Sequence, residues 1–228
     1  MMVVLSLISI VYISYVALVQ QDMKRLIAYS SIGHMGFVTL GCFMVYIIMR
    51  NVNGYPDALM AYEGAMVQMI AHAFGAGAMF IGVGILYDQL HTRKIKDLGG
   101  IAQKMPLFAA LYMLFCLSNL GLPGTSGFVG EFMIILAMFH ASFWITLIAS
   151  TAVILTAAYT LFMYKRVYFG PITNPQVALL KDIGPLETLN LLILAAALLF
   201  LGLFPQAELT LFQATADHLL QLSLGSKL

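Results

Sequence analysis

The feature that most constrains this chain is a series of apolar stretches, each about as long as a bilayer is thick, separated by short polar segments. A helix of about 20 apolar residues crosses a hydrocarbon core of about 30 Å. Only 9% of the 228 residues are charged, and the mean hydropathy is +0.94. So few charges cannot cover a water-facing surface, because an ordinary soluble domain carries roughly 25%. The pattern predicts an all-α, polytopic membrane helix bundle and excludes a soluble enzyme.

We predict about six transmembrane helices in one membrane unit that covers residues 1–205. They comprise residues 1–20, 26–48, 65–86, 107–140, 143–164 and 189–204. Residues 51–63 are predicted to form a loop of unknown contacts. The tail, residues 206–228, mixes leucines with polar residues in a pattern that predicts a helix in the membrane interface. The first stretch has no basic start and no small-residue cleavage site, so we expect a retained helix rather than a signal peptide.

The basic residues are distributed asymmetrically between the predicted loops. Nine of the eleven lysines and arginines fall in the first, third and fifth loops, and only Arg50 and Lys227 fall on the other side. The positive-inside rule then places both termini outside and the odd-numbered loops in the cytoplasm or in the matrix of an organelle.

The fourth stretch is far longer than one membrane crossing requires and contains the sequence GLPGTSGFVG. Proline and several glycines disfavour a continuous helix, so we predict a helix broken near residues 121–130. The residues assigned to this break are Gly121, Pro123, Gly124, Gly127 and Gly130. Unwound backbone at membrane depth is tolerated only inside protein or beside water, and broken helices of this kind recur in ion-coupled transporters.

Three ionisable residues within the predicted spans are candidates for function, namely His34, His72 and Glu131. Charged side chains at membrane depth cost about 2.5–3.5 kcal/mol on insertion scales, so each requires a reason. Ser30 and Ser31 precede His34 by one turn, and Gln68 precedes His72 by one turn. These polar side chains predict a hydrated seam between helices.

Each histidine also has simpler interpretations. Either ring could satisfy an ordinary interhelical hydrogen bond, and two histidines on neighbouring helices could ligate a haem. Glu131 is predicted to lie in the first turn after the break, where it is either an N-terminal cap or a carboxylate that exchanges protons.

Other classes of function lack support in the residues. A net charge of +1 without a basic run gives no reason to expect nucleic acid as a partner. Cys42 and Cys116 lie in apolar stretches, and no arrangement of ligands indicates a metal or an iron–sulfur cluster. Moving a proton against about 150 mV costs about 3.5 kcal/mol, and no nucleotide loop or redox motif is present to supply it. We therefore assign no catalytic residue and expect the energy source in partner subunits.

Four segments occur here in the order QDMKRLIAYSSIGHMGF, MIAHAFGAGAMF, YDQLHTRKIKDLGG and LGLPGTSGFVGEFMI. This series resembles the subunit 4, or bacterial M subunit, branch of NADH:quinone oxidoreductase, respiratory complex I, whose antiporter-like relatives share the KRLIAYSS segment. Relatives in multi-subunit antiporters usually carry lysine after the broken helix, whereas this sequence has Glu131.

The resemblance implies that this chain corresponds to the second of two inverted repeats plus a last helix. It further implies that His34, His72 and Glu131 lie on a proton path, for which Lys24, Ser30, Ser31 and Gln68 are supporting residues. The expected partners are lipids, other membrane-arm subunits and a chain or segment with the first inverted repeat. NADH, FMN, iron–sulfur clusters and quinone are expected only in partner subunits, and the expected location is the mitochondrial inner membrane or the bacterial cytoplasmic membrane.

The function implied is proton translocation driven by redox chemistry in other subunits of NADH:quinone oxidoreductase. Three alternatives stay open, namely a subunit of a multi-subunit cation/proton antiporter, a subunit of a membrane-bound hydrogenase and a structural fragment of the membrane arm.

Overall fold

The computed structural model describes residues 1–52 and 54–225, and the regular elements in these residues are helices. The α-helices are α1 (Met2–Leu18), α2 (Met23–Val52), α3 (Tyr55–Leu90), α4 (Pro106–Asn119), α5 (Ser126–Phe139), α6 (Phe143–Tyr168), α7 (Pro185–Leu203) and α8 (Gln206–Gly225). Short 3-10 turns at Ile95–Asp97, Ile101–Gln103 and Val177–Leu179 lie in the connections. Helices α2, α3, α6 and α7 are each long and apolar enough to cross a bilayer.

Helix α3 begins ten residues before the predicted start of the third span, so the prediction of a loop over residues 51–63 is wrong. Pro56 occupies the first turn, where its fixed φ suits a helix and its missing N–H is not needed. Ala58 and Ala61 are fully buried, which extends the apolar face of α3 to its N-terminus. Burial against neighbouring helices therefore favours helix over the whole segment.

Small residues let α2, α3 and α5 approach closely. A Cβ atom at Gly41 of α2 would lie 3.0 Å from the carbonyl oxygen of Ala61 in α3. A Cβ at Gly64 of α3 would lie 3.1 Å from the carbonyl oxygen of Gly130 in α5. Close backbone contact of this kind is how helices associate in lipid, where the hydrophobic effect between helices is weak.

The three loops that are rich in lysine and arginine meet at one end of the bundle, which we call the basic end. The amide of Met23 donates to the carbonyl of Arg93, and the amide of Ile95 donates to the carbonyl of Gln21. The amide of Gly100 donates to the carbonyl of Phe169. The asymmetry seen in the sequence therefore corresponds to a single surface of the folded chain.

The predicted C-terminal helix is present as α8, and it packs against the first half of α3 at the end opposite the basic end. The hydroxyl of Tyr55 donates to the carboxylate of Asp217. Ala216 and Leu220 are fully buried on the same side of α8. The final residues of the predicted tail, 226–228, lie outside the described residues.

The predicted broken helix is observed as α4 and α5, but the break covers residues 120–125 rather than 121–130. Gly121 and Gly124 adopt positive φ angles of 77° and 93°, which a glycine adopts without strain. Gly127 and Gly130 lie within α5, so their assignment to the break is wrong. Their physical role is close packing, because a Cβ at Gly127 would lie 2.1 Å from the carbonyl oxygen of Ser118.

A candidate proton site beside the broken helix

The centre of the candidate site is a buried pair formed by His34 of α2 and Glu131 of α5. The Nδ1 atom of His34 lies 2.6 Å from Oε1 of Glu131, and the two side chains are 5% and 6% exposed. Gln68 of α3 donates from Nε2 to the same Oε1 at 3.0 Å. Three helices thus converge on one carboxylate oxygen, which compensates part of the cost of burying the carboxylate.

Close contact between α3 and α5 positions this carboxylate. Gly130 lies directly against the backbone of Gln68, since a Cβ at residue 130 would approach the Gln68 nitrogen to 2.6 Å. Glu131 is the next residue along α5, and its side chain reaches both Gln68 and His34. The glycine therefore sets the distance between the helices that makes the three-residue contact possible.

Glu131 is the sixth residue of α5, whereas the sequence predicted a place in the first turn. The helix begins at Ser126, with Thr125 at the N-cap position, because the glycines that follow are helical. The interpretation of Glu131 as an N-terminal cap is therefore wrong. Its observed hydrogen bonds come from side chains rather than from free amides at a helix end.

The other ring nitrogen of His34 contacts a residue that the sequence analysis did not identify. Nε2 lies 3.1 Å from Oδ1 of Asn119, the last residue of α4. The amide nitrogen of Asn119 donates to Oγ of Ser30 at 3.2 Å and to Oγ1 of Thr160 at 3.1 Å. Oγ of Ser30 lies 2.7 Å from the hydroxyl of Tyr159 in α6. The feature of the sequence that could have indicated Asn119 is the presence of an asparagine in an apolar helix immediately before the break.

His72 of α3 joins the cluster through its ring. Its centroid lies 5.2 Å from that of His34, with an interplanar angle of 39°. The two rings, with Gln68, Ser118 and Asn119, line a cavity of about 10 Å³. That volume is about what one water molecule requires.

A second cavity is lined in part by Glu131. It measures about 110 Å³, and apart from Glu131 it is lined by Gly121, Phe128, Phe132, Ile135 and Val153. Glu131 therefore lines the larger cavity beside the break, while its partners His34 and Gln68 line the smaller one.

Two predicted supporting residues lie elsewhere. Ser31 donates to the carbonyl of Ile27 in its own helix and faces a groove shared with α1. Lys24 lies at the basic end, in a pocket lined by Phe80, Tyr87 and Arg93. Ser30 and Gln68 are therefore brought to His34, and Ser31 and Lys24 are not.

The geometry does not suit a haem held by two histidines. Both ring nitrogens of His34 have protein partners, Glu131 on one side and Asn119 on the other. Neither ring nitrogen of His34 is left free to ligate iron, so the haem interpretation does not fit this site.

The fold is an apolar helix bundle with one interrupted helix, and a buried imidazole–carboxylate pair lies beside the interruption. These features are typical of multi-pass membrane proteins in which ion sites lie at discontinuous helices. Within that class, the chain belongs to the NADH:quinone oxidoreductase/Mrp antiporter transmembrane family, whose model matches residues 1–156.

The relatives confirm the resemblance drawn from the sequence. NADH-quinone oxidoreductase subunit M of Rhodobacter capsulatus is 43% identical over 218 residues, which are 96% of this chain and 40% of that protein. NADH-ubiquinone oxidoreductase chain 4 of Chondrus crispus is 38% identical over 218 residues, which are 96% of this chain and 42% of that protein. The chain therefore spans about two fifths of the length of these curated relatives.

Solved structures show the same fold. A chain of respiratory complex I from Thermus thermophilus with bound NADH superposes with a TM-score of 0.84 at 29% identity, over 97% of this chain and 44% of that chain. A chain of the Mrp complex from Dietzia sp. superposes with a TM-score of 0.78 at 20% identity, over 94% of this chain and 46% of that chain. The second likeness is one of fold alone.

Proposed function

We propose that this chain is part of the proton-translocating membrane arm of an NADH:quinone oxidoreductase, and that protons exchange between His34, Glu131 and intervening water while charge on His72 drives the exchange. The observation that carries the proposal is the buried contact of 2.6 Å between Nδ1 of His34 and Oε1 of Glu131. No other described pair joins a titratable base and a titratable acid at this depth in the bundle.

The pair forms a natural proton-binding unit because one proton can reside on either partner. With the proton on His34, the two charges form a hydrogen-bonded ion pair. With the proton on Glu131, both groups are neutral. Transfer along a contact of 2.6 Å requires no change of helix position.

His72 provides a means of driving that transfer. Two imidazolium charges at the 5.2 Å separation of the rings repel by roughly 3 kcal/mol at an effective dielectric constant of about 20. A proton that arrives on His72 therefore favours movement of the His34 proton onto Glu131. Neutral Glu131 then borders the larger cavity beside the break, from which the proton continues away from the histidines.

The energy for net transport comes from partner subunits in this proposal. Because the chain spans about two fifths of its relatives, a partner chain or segment with the first inverted repeat supplies the rest of the unit. NADH oxidation and quinone reduction, with their cofactors, take place in other subunits, and the charge changes described above couple to them.

The test is Glu131→Gln in the assembled complex. Glutamine keeps the side-chain size and an acceptor oxygen but does not titrate, so we expect normal assembly and loss of proton pumping. NADH:quinone turnover should fall with it, while electron transfer from NADH to an artificial acceptor should not. Glu187→Gln is the matched control, since among the described residues the Glu187 carboxylate accepts only the amide of Gly184. Pumping by Glu131→Gln at the unmodified rate would overturn the proposal.

A cation/proton antiporter is the second candidate, supported by the fold shared with the Mrp complex. The two functions differ in their driving force. In membrane vesicles, proton movement that requires NADH favours the first, and movement that requires only a sodium gradient favours the second. The proteins that copurify with the chain provide an independent criterion.

A further inference from the structure

We infer that Asn119 is a positioning residue that keeps Nε2 of His34 protonated, so that His34 exchanges its proton only at Nδ1, on the side of Glu131. The inference rests on the proposed function, which concerns the same site.

The first observation is that Asn119 has a hydrogen-bond partner for each of its polar groups. Its amide nitrogen donates to the hydroxyls of Ser30 at 3.2 Å and Thr160 at 3.1 Å, and its Oδ1 faces Nε2 of His34 at 3.1 Å. An amide oxygen only accepts hydrogen bonds. Nε2 must therefore carry a hydrogen, whether His34 is neutral or charged.

The second observation concerns what holds the amide in this orientation. The hydroxyl of Tyr159 donates to Oγ1 of Thr156 at 3.3 Å and also lies 2.7 Å from Oγ of Ser30, a contact in which either hydroxyl can donate. Oγ of Ser30 accepts from the amide nitrogen of Asn119. Consistently, Oγ of Ser30 lies closer to the amide nitrogen of Asn119, at 3.2 Å, than to its oxygen, at 3.4 Å. Donation to two hydroxyls, those of Ser30 and Thr160, thus holds the amide in this orientation.

The consequence lies at the other face of the imidazole. When neutral His34 carries its hydrogen on Nε2, the lone pair of Nδ1 points at Oε1 of Glu131. Passage of a proton through the ring would require Nε2 to lose its hydrogen, which would place a lone pair against the oxygen of Asn119. Proton exchange is thereby confined to Nδ1, and His34 acts as a charge beside Glu131 rather than as a through-ring relay.

Two substitutions in the assembled complex separate this role from simple packing. Asn119→Leu keeps the size and removes the acceptor, so the imidazolium is less favoured and the pH at which coupled turnover is half-maximal should fall by about one unit. Asn119→Asp keeps an acceptor and adds a negative charge, so that pH should rise. Pumping by Asn119→Leu should decrease about tenfold. Asn190→Leu, the same change at an exposed position of α7, should alter neither.

The inference requires opposite shifts in the two variants, downward for leucine and upward for aspartate. Shifts in the same direction, or no shift in either variant, would overturn the inference and leave Asn119 a packing residue. If Asn119→Leu fails to assemble, Asn119→Asp decides alone, because the upward shift is required. Glu131→Gln is measured in parallel. If Glu131→Gln stops pumping and the pH of half-maximal turnover is unchanged in both Asn119 variants, only this inference is rejected. If Glu131→Gln pumps normally, the proposed function is rejected.

Discussion

At the scale of single residues, Glu131 uses one carboxylate oxygen for two contacts, with His34 at 2.6 Å and with Gln68 at 3.0 Å. The geometry is demanding because the groups come from three helices whose positions are fixed by packing elsewhere. A side chain one methylene shorter can keep the charge but not both contacts.

Glu131→Asp therefore tests how much the contact distance matters. We expect aspartate to retain the ability to titrate while its carboxylate is withdrawn by about 1.5 Å, which lengthens the contact beyond the normal hydrogen-bond range. Pumping should be reduced but measurable, between the wild-type rate and that of Glu131→Gln. Proton flux in reconstituted vesicles measures it, and a rate for aspartate no higher than for glutamine would show that charge without the contact is insufficient.

At the scale of elements, the distance between α3 and α5 is set by Gly130. In Gly130→Ala the added Cβ would lie 2.6 Å from the Gln68 nitrogen, so the two helices must separate. Overpacking of this kind costs typically about 1–3 kcal/mol of stability. We expect a lower melting temperature and a large loss of pumping, because Glu131 moves away from His34.

Gly77→Ala is the matched control for that substitution. Gly77 is helical in α3, and a Cβ built there meets no atom within 4 Å. Alanine should be neutral or stabilising by about 0.5–1 kcal/mol, because glycine loses more conformational freedom on folding. Equal losses of melting temperature and pumping in the two variants would show that α3 tolerates no added methyl group. The distance between α3 and α5 would then not depend on Gly130 in particular.

Helix α8, which is not among the helices long and apolar enough to cross the bilayer, contains a buried glutamate, Glu208. Both carboxylate oxygens of Glu208 are buried without a hydrogen-bond partner in the described part of the chain. Burial raises the pKa of Glu208 from 4.5 to about 7. Because the folded pKa lies above the unfolded pKa, this residue's contribution to stability is fully present below pH 4.5 and is lost as the pH rises through about 7.

Glu208→Gln should therefore reduce the dependence of stability on pH. Between about pH 5 and about pH 8, the melting temperature of the unmodified protein in detergent should fall by more than that of the variant. Glu187→Gln should leave the fall unchanged, because its hydrogen bond to Gly184 lies at the start of α7. Identical pH dependence in Glu208→Gln and the unmodified protein would show that Glu208 does not titrate in this range.

At the scale of the whole molecule, the basic end defines an orientation. Lys96 is exposed there, and His140 is exposed at the opposite end. With Cys42 and Cys116 replaced, a thiol at Lys96→Cys should react with an impermeant reagent only from the cytoplasmic or matrix side. His140→Cys should react only from the other side, and the reverse result would invert the topology.

This chain is shorter than the relatives to which it is similar. Since the chain spans about two fifths of their length, we expect the functional assembly to contain a polypeptide or segment with the first inverted repeat. Mass spectrometry of the purified complex should identify it. A complex that pumps at full stoichiometry without such a segment would show that the path proposed here is complete in a single repeat.

The sequence by itself determined the helical membrane architecture, because the thickness of a bilayer requires apolar stretches of a certain length. It also indicated His34, His72 and Glu131 as candidate residues, since ionisable side chains are costly in such stretches. Only the tertiary structure decided what each glycine does. A glycine in a helix is compatible both with a break and with close packing, and the neighbouring helix makes the difference at Gly121 and Gly130.

The hydrogen-bond partners of His34 were likewise decided only by the tertiary structure. Ser30 and Ser31 are adjacent in sequence but point about 100° apart on α2, and packing alone turns Ser30 towards α6 and leaves Ser31 on the α1 side. Asn119 lies 85 positions from His34 along the chain. No local pattern links residues so far apart, so the hydrogen bonds that define the site follow only from how the helices pack together.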